Sequence, residues 1–248
     1  VRVDVVFGGA TLAPSDVAGR VVAVIDVLRA STSIAAALAN GARAVIPFES
    51  SDEVIMRAKA FERGRVLLAG ERRMLPIPGF DLGNSPNEFT PEIVEGKTVL
   101  MTTTNGTRAI TATQGARDVV VASYVNYTAV LTMLRTALRG GNDITIVCAG
   151  RDRQFSLEDA GCAGRFANNV SKRLSGVTLN DAAQACALID RKYGERTLKL
   201  FEASEHGRAL RDAGFGDDLV MCAAVDSYPV IPLYQDRKIT KLGPDRER

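Results

Sequence analysis

Apolar residues in this chain come in short unbroken runs. Val, Ile and Leu dominate residues 20–27, 43–48, 65–69, 97–101, 117–122 and 143–148, without strict in-and-out alternation. Such runs are what strands buried on both faces require. Between them, residues 30–39, 51–63, 106–113 and 126–139 carry apolar positions at helical spacing. The pattern therefore spells β-α-β units and predicts an α/β fold, with mostly parallel sheets and flanking helices. Val1-Arg-Val-Asp-Val-Val-Phe7 alternates like a further strand. Residues 156–174, 178–193 and 196–211 read as helices, and residues 228–242 as two short strands. The charged end, 243–248, is expected to fray.

Two short matches suggest an internal repeat. Asn40-Gly-Ala-Arg43 precedes one apolar run and Gln114-Gly-Ala-Arg117 another, while Leu68-Ala-Gly70 returns as Cys148-Ala-Gly150. The expectation is two related lobes, residues 1–90 and 91–248, with a site where the carboxyl ends of their strands face each other. Residues 71–90 interrupt the rhythm with Pro76, Pro78, Gly79, Gly83 and Pro86. A connection of that length inside a compact domain commonly serves a site.

Composition narrows the class. With 248 residues, 46% hydrophobic and 24% charged, the chain is long enough for a large core and ordinary for a soluble fold. A balance of 31 Lys and Arg against 29 Asp and Glu leaves a net charge of +2, too little for the field of a nucleic-acid binder. No apolar run reaches the length of a membrane span, and the N-terminus lacks the pattern of a signal peptide, so a cytoplasmic protein is expected. The four cysteines form no Cys-x-x-Cys pair, which fits buried reduced thiols. The single histidine, His206, removes His-x-x-x-His and three-His zinc sites. A metal, if used, would have mostly oxygen ligands, which favours Mg²⁺ over Zn²⁺.

The strand ends carry the candidate chemistry. In Asp26-Val-Leu-Arg-Ala-Ser-Thr32 the carboxylate can hold a cation, while Arg29, Ser31, Thr32 and free helix amides can hold an anion. The plainer reading is a helix cap with a solvated Arg29. Thr102-Thr-Thr-Asn-Gly-Thr-Arg108 has the parts of a phosphate cradle, although Asn-Gly is also a common turn. Gly79-Phe-Asp-Leu-Gly-Asn-Ser-Pro86 sets Asp81, Asn84 and Ser85 in the long loop, just after Glu71. Gly150-Arg-Asp-Arg153 and Ser156-Leu-Glu-Asp-Ala160 form a third cluster. There Ser156 and Asp159 have the spacing of a capping box, which leaves Glu158 without a structural explanation.

Familiar nucleotide and phosphatase motifs are missing. There is no Gly-x-x-x-x-Gly-Lys-Ser/Thr and no Gly-x-Gly-x-x-Gly after a strand. Gln154 stands where a cysteine phosphatase loop starting at Cys148 needs arginine, and Asp26-Val-Leu28 lacks the second acid of an aspartyl phosphatase.

Taken in order, Asp26-Val-Leu-Arg-Ala-Ser-Thr32, Gly70-Glu71, Gly79-Phe-Asp-Leu-Gly-Asn-Ser-Pro86, Thr104-Asn-Gly-Thr107, Cys148-Ala-Gly150 and Glu158-Asp159 resemble the 2-phosphosulfolactate phosphatase (ComB) family. Ser204-Glu-His-Gly207, Asp217 and the stretch from Pro229 to Pro232 extend the resemblance over nearly the whole chain. It implies a Mg²⁺-dependent acid phosphatase with a ComB-like fold, releasing phosphate from a sulfolactate ester on the route to coenzyme M. The expected partner is thus a small anionic phosphorylated substrate, with no nucleic acid and no membrane; oligomeric state stays open, a homo-oligomer included.

Residue reading and resemblance together assign Asp26, Arg29, Glu71, Glu158 and His206 to catalysis. They place the metal on Asp26 and Glu71, with Asp81, Glu158 and Asp159 behind them. Ser31, Thr32, Asp81, Asn84, Ser85, Thr104, Asn105, Gly106, Thr107, Arg108 and Arg151 are assigned to substrate. Arg29, Arg108 and Arg151 together suggest a ligand with negative groups beyond one phosphate. Two alternatives stand at this point: another phosphoryl-transfer or lyase reaction on such a ligand, and a two-lobed binding protein that closes on it without chemistry.

Overall fold

The computed structural model describes residues 1–62, 64–152, 154–172 and 174–243. Arg153 and the charged tail from residue 244 lie outside the described residues. The chain begins with β1 (Arg2–Phe7), α1 (Pro14–Val17), β2 (Val21–Ile25), α2 (Ala30–Ala39), β3 (Ala44–Phe48) and α3 (Ser51–Ala58). It continues through β4 (Val66–Arg72), β5 (Leu75–Pro76), α4 (Pro91–Val94), β6 (Thr98–Thr102), α5 (Gly106–Thr111) and β7 (Asp118–Ala122). Then come α6 (Tyr127–Arg139), β8 (Ile144–Cys148), α7 (Leu157–Val170), β9 (Thr178–Leu179) and α8 (Asp181–Tyr193). Helices α9 (Thr197–Ala203), α10 (Glu205–Asp212) and α11 (Gly216–Ala223) precede the final hairpin, β10 (Pro232–Gln235) and β11 (Lys238–Lys241).

The strands form a single mixed sheet in the order β5-β4-β6-β3-β11-β10-β7-β2-β8-β1-β9. Two parallel sets, β4-β6-β3 and β7-β2-β8-β1-β9, are joined by the β10–β11 hairpin, which runs antiparallel to both of its neighbours. The fold is α/β, with a mostly parallel sheet. In β2, Val21, Ala23 and Ile25 enter the core beneath α6, α7 and α8, while Val22 and Val24 enter the core formed with α2 and α5. Burial on both faces is why these runs show no alternation.

The expected pair of consecutive lobes is not how the sheet is assembled. β6 lies between β4 and β3, and β2 lies between β7 and β8. The units β2-β3-β4 and β6-β7-β8 have therefore exchanged their first strands, and a cut at residue 90 would separate hydrogen-bonded neighbours. Of the two sequence matches, the Gly-Ala-Arg pair is in register: Ala44 pairs with Thr98 at the start of β6, as Asp118 pairs with Val21 at the start of β2. The other is offset by two, because Gly70 stands beside Thr102 at a strand end whereas Cys148 stands beside Ile25.

Differences among the helices have local causes. The stretch read as one helix over 196–211 breaks at Ser204, whose hydroxyl accepts from the Gly207 amide at 2.9 Å and starts α10. Gly207 is needed there, since a Cβ would stand 2.0 Å from the Phe201 carbonyl. Helix α11 had no counterpart in the sequence reading.

Candidate functional site

A cavity of about 440 Å³ opens where the strand ends of both parallel sets meet, lined by Asp26, Arg29, Glu71, Arg73, Met74 and Asn84, and by Leu28, Thr104, Asn105, Arg151, Asp152 and His206. A larger groove of about 830 Å³ lies by β3, α3 and the β10–β11 hairpin, and none of the predicted site residues lines it.

Asp26 follows β2 at the start of the turn into α2. Its amide donates to Ser31 Oγ (2.7 Å), and the Ser31 amide donates to its carbonyl (2.8 Å). Burial raises the carboxyl to about 6; the charges of Glu71 and Glu158 push the same way, while His206 and the Ala30 amide oppose them. Across from it, Gly106 packs so closely that a Cβ would stand 2.5 Å from Asp26 Oδ2 and 2.6 Å from Ala30 Cβ. The starts of α2 and α5 thus abut at the acid.

Glu71 is fixed by three donors: the Thr104 amide to Oε1 (2.7 Å), Thr104 Oγ1 to Oε2 (3.1 Å) and the Met74 amide to Oε2 (2.8 Å). Arg29 is almost fully buried and bonded from Nη1 to Asp218 Oδ2 at 2.7 Å, donates from Nη2 to the Met74 carbonyl at 2.7 Å, and stacks on Phe215 at 4.3 Å. Asp218 also accepts from Ser85 Oγ (2.5 Å) and Asn87 Nδ2 (3.1 Å). This carboxylate ties α11 to the long loop and to the arginine. His206 Nδ1 lies 3.2 Å from Glu158 Oε1. Burial pushes the Glu158 carboxyl up, but the hydrogen bond and charge of His206, with its own amide and Ser204, outweigh this and hold it below its ordinary value. Asn84 Oδ1 is buried with no hydrogen-bond partner among the described residues.

Several predicted residues lie elsewhere. Ser31 and Thr32 turn their hydroxyls to the turn itself, Thr32 Oγ1 donating to the Val27 carbonyl at 3.0 Å. Thr107 does the same with Thr103, and Ser85 is spent on Asp218. A buried turn must satisfy its own amides, and these hydroxyls do so. Asp81 is exposed beside β4, accepting from the Leu68 amide at 2.8 Å. Arg108 is exposed and outside the cavity lining. Asp159 is a clamp: Oδ1 accepts from the Val27 amide (2.9 Å) and Oδ2 from the Gly150 amide (3.0 Å), joining the ends of β2 and β8. Burial raises its carboxyl well above the usual range, helped by Asp26 and Glu158. Ser156 caps α7 as its spacing foretold. Gly106 and Glu158 do not line the cavity; Glu158 meets it only as the partner of His206. All four thiols are buried and unpaired, and burial raises each of them.

The sequence reading missed Arg73, Asp152 and Asp218. The family resemblance includes its neighbour Asp217, which is exposed, while Asp218 shares the buried side of α11 with Leu219 and Cys222. That helical periodicity was the available signal.

The residues present suit a hard cation in part. Among the described residues no three His, Cys, Asp or Glu side chains gather closely enough to hold a metal. Asp26, Glu71 and Asn84 nonetheless line one cavity, and Mg²⁺ is commonly held by one or two carboxylates completed by water and substrate oxygens.

Fold and cavity define an α/β protein with a polar pocket lined by acids and arginines at its strand ends. The family model for 2-phosphosulpholactate phosphatase matches residues 10–237. A protein of Clostridium botulinum (strain Eklund 17B / Type B) named "Probable 2-phosphosulfolactate phosphatase" is 36% identical over 241 residues, covering 97% of this chain and all of the relative. One of the same name from Symbiobacterium thermophilum is 41% identical over 227 residues, covering 92% and 96%. A third, from Thermotoga petrophila, is 38% identical over 218 residues, covering 88% and 90%. The chain belongs to the 2-phosphosulfolactate phosphatase family.

Proposed function

We propose that this protein is a Mg²⁺-dependent phosphoric monoester hydrolase acting on a small multiply anionic ester, 2-phosphosulfolactate, with sulfolactate and phosphate as products. The observation that carries the reading is the meeting of two carboxylates, Asp26 and Glu71, with Arg29, Arg73 and Arg151 in one cavity of about 440 Å³. Mg²⁺ on Asp26 and Glu71 would neutralise phosphoryl charge. Arg29, oriented by Asp218, binds phosphoryl oxygens, and Thr104 keeps Glu71 in place for the cation. Asn84 Oδ1 accepts a hydrogen bond from the ligand or its water. His206, with Nδ1 held by Glu158, offers its other ring nitrogen to the leaving oxygen as a proton donor. No cysteine takes part, since each thiol is buried and its pKa raised. No helix among the described residues is long and apolar enough to cross a membrane.

The test is phosphate release from 2-phosphosulfolactate. Turnover should require Mg²⁺, disappear after stripping with EDTA and return on adding the metal. Full turnover after stripping would remove the metal from the mechanism. Tight binding of the ester with no phosphate release under any metal condition would leave a binding protein.

A further inference from the structure

We propose that Arg73 selects the substrate, gripping the anionic group that is not transferred; this rests on the phosphatase reading and adds to it a residue for specificity. Three guanidinium groups line the cavity, and two already have carboxylate partners. Arg29 is paired with Asp218, and Arg151 lies 3.2 Å from Glu205 and 3.8 Å from Asp152. Arg73 is exposed and has no hydrogen bond or ion pair among the described residues. Its neighbour Arg72 is occupied, donating to the Glu71 carbonyl and Thr102 Oγ1.

The backbone beneath Arg73 is held by the site itself. Arg73 and Met74 are the two central residues of the turn between β4 and β5, with φ of 51° and 74°. Turns with two positive φ values favour Asn-Gly, so an arginine there is held against its local preference. Met74 fastens the turn from both sides, its amide on Glu71 Oε2 and its carbonyl on Arg29 Nη2. The side chain therefore starts from a base set by the residues assigned to the phosphoryl group and the metal. After β8, Arg151 and Gln154 are also bridged, and there Asp152 is the residue with φ of 51°. One turn thus brings an unpaired cation to the cavity, and the other brings an acid that faces its own arginine. A free guanidinium fork donates well to a carboxylate, sulfonate or phosphate, and with the phosphoryl group assigned to Arg29 and the cation, the second anion is left for Arg73.

The test compares 2-phospholactate, which carries a carboxylate beside its phosphate, with phenyl phosphate, which has no second anion. In Arg73→Asn, which suits a positive φ, kcat/KM for 2-phospholactate relative to phenyl phosphate should fall about tenfold. The melting temperature should hold or rise, by about 2 °C. Arg73→Lys should recover part of the ratio, because charge remains while the fork is lost. A ratio within twofold of the unsubstituted protein, or one that falls only with the melting temperature, overturns the proposal. Calorimetric binding of 3-sulfolactate, read without turnover, separates this from the phosphatase reading. Failure to hydrolyse either ester sinks that reading, whereas a tenfold loss of 3-sulfolactate affinity in Arg73→Asn supports Arg73, and an affinity within twofold overturns it.

Discussion

The turn after β2 and the turn after β6 occupy corresponding places in the exchanged units, and they do different things. In both, a hydroxyl from the first turn of the following helix accepts the amide of the residue just past the strand: Ser31 from Asp26, and Thr107 from Thr103 at 3.0 Å. In the second turn the strand-end side chain is also used up, since Thr103 Oγ1 accepts the Thr107 amide at 3.1 Å. In the first turn the strand-end side chain is a carboxylate that lines the cavity. Architecture is supplied twice and charge once. The second turn contributes Thr104 to steady Glu71, and Gly106 to let the two helix starts meet. A fully symmetric pair of acids at that contact would set like charges against each other in a buried place.

Substitutions can break or sharpen this contrast. The largest expected effect is Asp26→Asn, which keeps the shape and removes the charge: kcat/KM should drop roughly 10³-fold with an unchanged circular-dichroism spectrum. A loss under tenfold would mean that the charged turn is not the working one. Next is Asp159→Ala, because this buried carboxylate clamps the first turn to the end of β8, whereas the carboxylate that meets the second turn, Glu71, faces the cavity. Leaving the Val27 and Gly150 amides unpaired should cost about 3 kcal/mol, read as a melting temperature lower by about 8 °C. Thr103→Val, at the position matching Asp26, should cost about 1 kcal/mol in denaturant unfolding and change kcat/KM by about threefold at most. A collapse in rate there would make the turns equivalent after all. Smallest is Arg108→Ala, for which KM should move by about twofold or less, since the side chain is exposed and does not line the cavity.

These contrasts explain what could be read from the sequence. Helix α2 has the bounds its spacing suggested, and six buried strands fall within two residues of their apolar runs at nearly every end, because burial on both faces writes itself into consecutive residues. The exchange of first strands left no such mark, since strand order depends on contacts between distant segments. At the site, Asp26, Glu71, Asn84, Asn105 and Arg151 announced themselves by lying at strand ends or in the long loop, and His206 by being the single histidine, within a segment that carries the family resemblance. Ser31, Thr32 and Thr107 lay equally close in sequence, yet the turns claimed their hydroxyls for backbone amides. Arg73 stayed hidden because nothing in Glu71-Arg-Arg-Met74 tells which arginine turns toward the cavity and which toward Thr102.

The terminal hairpin also bears on synthesis. Until residues 232–241 emerge from the ribosome, β3 and β7 each present an unpaired edge toward the place the hairpin will fill. All nine other strands precede the hairpin in the chain, and they must be made before the two parallel sets can be sealed to each other. A nascent chain of this design is thus open to wrong strand partners until the hairpin is in place.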